Sequence, residues 1–317
     1  MPMRRAALLL MGPTGAGKSE VALALAERLP VELVSVDSAQ VYRGMDIGTA
    51  KPDRATRQRI AHHLIDIREP TERFSAGDFL RELGPILHGI WARGRQPLLV
   101  GGTSLYFHAL TAGLAELPEA NPALRAQLEA EARERGWEAL HGELRRVDPA
   151  AAARIHANDP QRIQRALEVY RLTGEPITRL QARRPSVLSG VATLEIALAP
   201  RERAELHRRI EARYRAMLAA GFLEEVRGLR ARGDLTAEHP SMRAVGYRQA
   251  WRYWAGESTL EDSTAQAVAA TRQLAKRQLT WLRARPGVRW LDPLHQDAAR
   301  MILDALEQSK SPLWTEA

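Results

Sequence analysis

The segment Gly12-Pro13-Thr14-Gly15-Ala16-Gly17-Lys18-Ser19 constrains this chain more than any other. It fits the pattern G-x-x-x-x-G-K-[ST], and its flanks supply the context that pattern needs. Before it, the apolar run Ala6 to Met11 reads as a buried strand. After it, Ser19 to Leu29 has the apolar spacing of a helix, which Pro30 stops. Small residues let successive backbone N–H groups turn inward around an anion, and the helix N-terminus adds partial positive charge. Lys18 is placed to reach a terminal phosphate oxygen, and the Ser19 hydroxyl to ligate Mg²⁺. All eight residues are therefore candidate phosphate ligands. The motif predicts that a phosphate chain is held and leaves open which reaction follows.

The rest of the chain reads as an α/β protein. Short apolar runs at Val31 to Val36, His63 to Ile67, Pro97 to Val100 and Leu194 to Leu198 alternate with helix-like segments, as in a parallel sheet covered on both faces. Between about Leu117 and Pro185 the texture changes. Strand-like runs vanish, and Ala/Arg/Glu/Leu-rich segments (Pro122 to Arg135, Gly136 to Val147, Pro149 to His156, Asp159 to Thr173) are punctuated by Gly and Pro. The expected organisation is a P-loop NTPase-like sheet core over 1–116 and 186–317 with a helical insertion over 117–185. Helices are expected again at Arg201 to Gly221, Leu223 to Arg232 and Thr259 to Arg285.

Composition excludes several classes. With 317 residues, 45% of them apolar, the chain can bury a real core, and without cysteine it has neither disulfides nor thiolate chemistry. No run approaches a membrane span, and the N-terminal apolar run is too short for a signal peptide, so a cytoplasmic, membrane-free location is expected. The net charge is +8 and only four of the cations are lysines, which suits a polyanionic partner as well as it suits a GC-rich genome.

In an open α/β sheet, ligands sit beyond the carboxyl ends of the strands. Asp37-Ser38-Ala39-Gln40 follows the second run, Ser75-Ala76-Gly77-Asp78-Phe79 follows the third at a distance, and Gly101-Gly102-Thr103-Ser104 follows the fourth. Asp37 can bind Mg²⁺, act as a base toward a second substrate, or N-cap the next helix, and spacing does not choose. Gly101-Gly102 permits close backbone approach, with the Thr103 hydroxyl beside the phosphates. The histidines include the pair His62-His63 but no ligand-spaced cluster.

A family resemblance then enters. The phosphate loop, Asp37 to Tyr42, Asp46 to Pro52, Gly101 to Thr103, Asn158 to Arg162, Arg165 to Val169, Val245 to Gln249 and Arg272 to Gln278 together resemble the bacterial tRNA dimethylallyltransferases over nearly the whole chain. The resemblance implies transfer of a dimethylallyl group from dimethylallyl diphosphate to N6 of the adenosine 3′ of the tRNA anticodon, with Mg²⁺ and release of pyrophosphate by a monomer. It assigns Asp37 as the base, places Thr103 and Lys18 at the reacting groups, and directs Arg213 at the diphosphate, where spacing alone favours a solvated helix face. It also implies tRNA contacts from Asp37, Ser38, Ala39, Gln40, Thr103, Arg125, Gln161, Arg162, Ile163, Gln164 and Arg165 to the anticodon stem-loop. Further contacts are implied for Arg243, Ala244, Val245, Gly246, Tyr247, Arg248, Lys276, Arg277, Gln278, Leu279, Thr280, Trp281, Leu282 and Arg283. One departure is Gly15-Ala16, where the family often carries Ala-Ser.

Independent support comes from Ser263 to Leu291, which holds Arg272, Lys276, Arg277, Arg283, Arg285 and Arg289, Trp281 and Trp290, and no acid. Such a stretch suits a phosphate backbone. The rival is a small-molecule or nucleoside kinase using ATP at the same loop, and a third reading is a non-catalytic RNA-binding protein. A kinase has no evident use for the acid-free stretch, and a pure binding protein none for Asp37 and Thr103 converging on the loop.

Overall fold

The computed structural model describes residues 5–115, 117–181, 186–294 and 297–308. Six strands, β1 (Ala6–Met11), β2 (Val31–Val36), β3 (His62–His63), β4 (Gln96–Gly101), β5 (Ala192–Leu198) and β6 (Arg289–Leu291), form one parallel sheet in the order β3-β2-β4-β1-β5-β6. Helices α1 (Lys18–Ala26), α2 (Arg54–Arg59), α3 (Ala76–Ala92) and α4 (Ser104–Ala112) alternate with the first strands. Then come α5 (Pro122–Val147), α6 (Pro149–Ala152), α7 (Pro160–Thr173) and α8 (Ile177–Gln181). Helices α9 (Arg203–Ala219), α10 (Phe222–Ala231), α11 (Tyr247–Trp254), α12 (Leu260–Arg283) and α13 (Ala298–Gln308) follow β5.

β1 is continuously apolar because it is buried on both faces. Ala6, Leu8 and Leu10 pack with Ala22 and Leu25 of α1 and Ile302 of α13, while the alternate residues Ala7, Leu9 and Met11 are buried as well. Trp91 at the end of α3 donates from its indole nitrogen to the Ala6 carbonyl at 3.0 Å. A second cluster joins α9 to α12 through Leu206, Tyr214, Phe222, Tyr247, Trp251 and Ala275.

Packing divides the chain into two compact units, residues up to His108 with those from Gly190 onward, and Ala109–Ser189. The boundaries read from composition lie at 116/117 and 185/186, where Glu116 and residues 182–185 fall outside the described residues. In the smaller unit the two helices expected on either side of Gly136 are present within α5, separated by Gly136, whose φ of 80° and ψ of 153° are not helical. Its core is Leu128, Leu140, Leu144, Ile163 and Leu167.

The structure corrects three sequence expectations. The third strand is only His62–His63, because Leu64 and Asp66 take left-handed backbone (φ 61° and 56°). That turn delivers the Asp66 carboxylate to Lys51 Nζ at 2.6 Å and Arg57 at 2.5 Å. Ser75 and Asp78 form a capping box that starts α3 and belong to no site. β6 was not foreseen, since a three-residue edge strand beside a basic turn carries almost no pattern.

Candidate active site

The phosphate loop runs from the end of β1 into α1. Gly17 occupies the N-cap position with a φ of 85°, a conformation that disfavours any side chain, and no side chain caps the helix. The first N–H groups of α1 therefore point to a ligand or to water. Lys18 folds back over the loop, its ammonium donating to the Gly12 and Pro13 carbonyls at 2.9 and 2.8 Å. Burial, followed by the neighbouring Arg213 charge, lowers the Lys18 pKa to about 8, and the Asp37 carboxylate partly opposes this.

The ends of β2 and β4 are bonded together beside the loop. The Thr103 hydroxyl accepts the Ser38 N–H at 3.0 Å, and the Thr103 N–H donates to the Val36 carbonyl at 3.2 Å. Close approach is obligatory here: a Cβ on Gly101 would lie 2.1 Å from the Val36 carbonyl oxygen. Asp37 Oδ1 accepts the Ala39 N–H at 2.8 Å and the Gln40 N–H at 3.4 Å. One Asp37 oxygen thus holds a turn rather than the start of a helix, and the side chain also lines the cavity.

Sequence reasoning missed three supports. Gln278 of α12 is buried, its carbonyl accepting the Thr14 N–H at 2.9 Å and its amide donating to the Gly102 carbonyl at 2.8 Å. One side chain thus ties α12 to the loop after β1 and the loop after β4. Arg209 donates to the Gly15 carbonyl at 2.9 Å, and its position one helical turn before Arg213 was a usable signal. Glu225 accepts the N–H groups of Asp46, Ile47 and Gly48 at 2.8, 2.7 and 3.2 Å and the Tyr247 hydroxyl at 2.5 Å. One of two adjacent glutamates in the first turn of α10, it gives no sequence hint of that duty.

Two of the hollows at this mouth share Asp37. One, of about 110 Å³, is lined by Thr14, Lys18, Ser19, Asp37 and Arg213. The other, of about 510 Å³, is lined by Asp37, Thr103 and Arg213 together with apolar side chains such as Met217, Phe222 and Trp281. Thr14, Asp37, Thr49, Gly102, Arg213 and Gln278 line both. Arg213 therefore turns inward, contrary to the solvated helix face that spacing alone favours. Burial pushes its pKa below the ordinary guanidinium value, and the Asp37 charge counters this. A recess holding Lys18, Ser19 and Arg213 beside apolar walls such as Leu23, Leu33 and Val34 thus adjoins a roomier chamber, with the Asp37 carboxylate on both.

Comparison with known proteins bears directly on this arrangement. The model of the family described as IPP transferase matches residues 40–285. The chain is 57% identical over 304 residues to the tRNA dimethylallyltransferase of Stenotrophomonas maltophilia strain K279a, covering 94% of this chain and 95% of that one. It is 54% identical over 309 residues to that of Nitrosococcus oceani, covering 98% of each. The chain belongs to this family. Among solved structures, the tRNA isopentenylpyrophosphate transferase of Bacillus halodurans has a TM-score of 0.69 at 37% identity, covering 97% of this chain and 98% of that one. A eukaryotic dimethylallyltransferase acting on tRNA has a TM-score of 0.81 at 26% identity, covering 97% and 80%. The P-loop NTPase-like α/β reading and the transferase reading stand, and the kinase reading is set aside.

The tRNA-contacting stretches implied by the family divide into outward and inward residues. On α12, Lys276, Arg277, Thr280 and Arg283 are exposed at helical spacing, and among the described residues none of the three cations has an ion-pair partner. Leu282 and Gln278 of the same stretch point inward, Leu279 packs in the α9 to α12 core, and Trp281 lines the larger chamber. Arg243 and Arg248 are exposed, Ala244, Val245 and Gly246 line the chamber, and Tyr247 is fully buried against Phe222. In α7, Gln161 and Arg162 are exposed, whereas Ile163 is core.

Three further residues assigned to RNA are spent internally. Arg125 and Arg165 bind the fully buried Glu168, at 2.8 and 2.9 Å and at 2.7 Å, and Gln164 donates to the Arg125 carbonyl at 3.2 Å. Burial alone raises the Glu168 pKa, but the hydrogen bonds from Arg125, Arg165 and the Asn121 N–H hold it below the usual range. The physical reason is common to all these placements: a motif marks a segment, and a helix turns only part of any segment outward.

Proposed function

We propose that this chain transfers a dimethylallyl group from dimethylallyl diphosphate to N6 of the adenosine 3′ of the anticodon in tRNA, giving N6-(dimethylallyl)adenosine and pyrophosphate. The observation that carries the reading is the position of Asp37 and Arg213 on both hollows. The C1–O bond of the diphosphate breaks as the C1–N6 bond forms. N6 is a poor nucleophile because its lone pair is delocalised into the ring, and its proton passes to Asp37 Oδ2. The negative charge developing on the leaving diphosphate falls on Lys18, Arg213 and the loop N–H groups. The apolar walls of the chamber suit the dimethylallyl chain, and Thr103, on the same chamber, is assigned to the reacting groups.

Mg²⁺ fits the donors present. No group of three or more metal-ligating side chains occurs among the described residues, but Mg²⁺ retains several waters and is commonly held by one or two protein oxygens and substrate phosphates. The Ser19 hydroxyl, sharing the smaller hollow with Asp37, would hold it. When bound, it neutralises diphosphate charge. A monomer and, from the tRNA substrate, a cytoplasmic setting belong to the same proposal. No helix among the described residues is long and apolar enough to cross a membrane.

The test is incubation with labelled dimethylallyl diphosphate and unmodified tRNA, followed by nucleoside analysis. Label is expected on adenosine N6. Unlabelled tRNA together with phosphoryl transfer from ATP to a small acceptor would overturn the reading.

A further inference from the structure

A second, separate hollow of about 460 Å³ lies on the other side of α12, lined by residues from the start of α9, from β6 and from α13. It shares no lining residue with the two reaction hollows. Helix α12 divides between them by its own periodicity. Leu274, Arg277, Gln278 and Trp281 face the reaction chamber, and Lys276, Leu279, Thr280 and Arg283 face this hollow.

Its chemistry is one-sided. Arg201, Arg203, Lys276 and Arg283 line it, and among the described residues none of them is in an ion pair, whereas Arg272 on its wall is held by Glu211 at 3.0 Å. Asp292 is the acid on its wall, and it is buried, with its two carboxylate oxygens accepting the Arg201 and Leu294 N–H groups at 2.9 and 3.0 Å. Of the five large apolar side chains exposed among the described residues, two, Trp290 and Met301, are on this hollow. Trp290 is 41% exposed although it sits on a sheet strand opposite Ala197. An open indole ringed by unneutralised guanidinium and ammonium groups matches the two demands of a single-stranded nucleotide, a surface for its base and cations for its phosphates. Thr280, Lys276 and Arg283 make the hollow continuous with the exposed basic face of α12.

We propose that this hollow is a nucleotide-binding site apart from the reaction chamber, taking an unstacked nucleotide of the RNA substrate with its base on Trp290 and its flanking phosphates on Arg201, Arg203 and Arg283. The proposal rests on the tRNA reading above. The occupant belongs to the RNA rather than to a free nucleotide pool, because the cations continue along α12 beyond the reach of one nucleotide.

The test uses the full chain carrying Trp290→Ala, Trp290→Phe or the pair Arg201→Ala and Arg203→Ala, with unmodified tRNA titrated across a salt series. Trp290→Ala is expected to weaken tRNA affinity about 5- to 150-fold, the range of base–aromatic stacking. Trp290→Phe keeps a stacking surface and should stay within about threefold of the parent. The double arginine variant should flatten the slope of log affinity against log salt by about 1.4. Turnover at saturating tRNA and affinity for dimethylallyl diphosphate are expected to stay within about twofold, since neither chamber residue nor loop is touched. Unchanged tRNA affinity and slope in folded variants would overturn the proposal. So would tight binding of adenosine monophosphate abolished by Trp290→Ala while tRNA affinity is unmoved, which would assign the hollow to free nucleotides. A parent enzyme that labels no tRNA would strike the functional reading instead, so the two failures are distinguishable.

Discussion

Arg125, Arg165 and Arg171 of Ala109–Ser189 and Lys276, Arg277 and Arg283 of α12 all sit on Arg-rich helices, and they behave oppositely in the structure. In the smaller unit, Arg125 and Arg165 close on Glu168, and Arg171 spans Glu131 and Glu143 at 2.7 and 2.9 Å. On α12, Lys276, Arg277 and Arg283 find no carboxylate among the described residues. A paired guanidinium has already spent its charge on the fold, whereas an unpaired one keeps it for a ligand. The difference teaches that a count of cations says little about nucleic-acid binding until their acids are located. It also yields a rule that can be broken: removing a paired charge should cost stability and spare the chemistry, and removing an unpaired one should do the reverse.

The largest expected effect is at Asp37. Asp37→Asn keeps the acceptor at Oδ1 that holds the Ala39 N–H, so the turn survives, while the proton acceptor is lost. Turnover should fall by about 10² to 10⁴, with urea-unfolding stability within about 0.5 kcal/mol of the parent. Near-parental turnover would remove Asp37 from the role of base. Glu168→Ala probes the other side of the comparison. It strips a buried acceptor from two arginines and the Asn121 N–H, and should cost about 3 kcal/mol in the same unfolding measurement. Unchanged affinity for dimethylallyl diphosphate is expected, and a stable variant with impaired binding would reverse the assignment.

A moderate effect is expected from pH. Lys18 titrates at about 8 rather than at 10.5 in the free protein, and an incoming diphosphate favours its charged form. Affinity for dimethylallyl diphosphate should therefore fall by about tenfold per pH unit above pH 8. Calorimetry across pH 7 to 9.5 checks this, and Lys18→Arg should give a flat profile over the same window. The linkage to stability has the opposite sense. The folded state disfavours the lysine proton, so this group's cost to folding is fully present below pH 8 and is relieved as pH rises from about 8 toward 10.5.

Much of this was legible in sequence because its signals were local. The loop from Gly12 to Ser19, the buried runs of β1 and β2, and the start of α5 at Pro122 each depend on residues within a few positions of one another. What was illegible depends on long-range placement. Gln278 reaches residues 14 and 102, Glu225 reaches 46 to 48, and no spacing rule connects such positions. The split within each stretch proposed to contact RNA was hidden for a related reason. Ile163 and Arg162 are neighbours in sequence but lie on core and solvent sides of one helix, and which side is which is set by the packing of α7 on α5.

The smallest effect is also the sharpest test of the opening contrast. Lys276→Ala with Arg277→Ala removes two exposed charges that hold nothing together in the described structure, so unfolding stability should move by less than about 0.5 kcal/mol. If they meet phosphates, the slope of log tRNA affinity against log salt should flatten by about one to two units, with weaker binding at low salt and convergence with the parent at high salt. Arg162→Ala in α7 offers an internal gradation. Its side chain is 71% exposed and lies 3.5 Å from Asp159, a partly neutralised cation, so its change in slope should be smaller than the average for Lys276 and Arg277. An equal or larger change at Arg162 would show that nearness of a carboxylate does not predict which cations the RNA uses. An unaltered slope in the α12 variant would return that face to ordinary solvated charge.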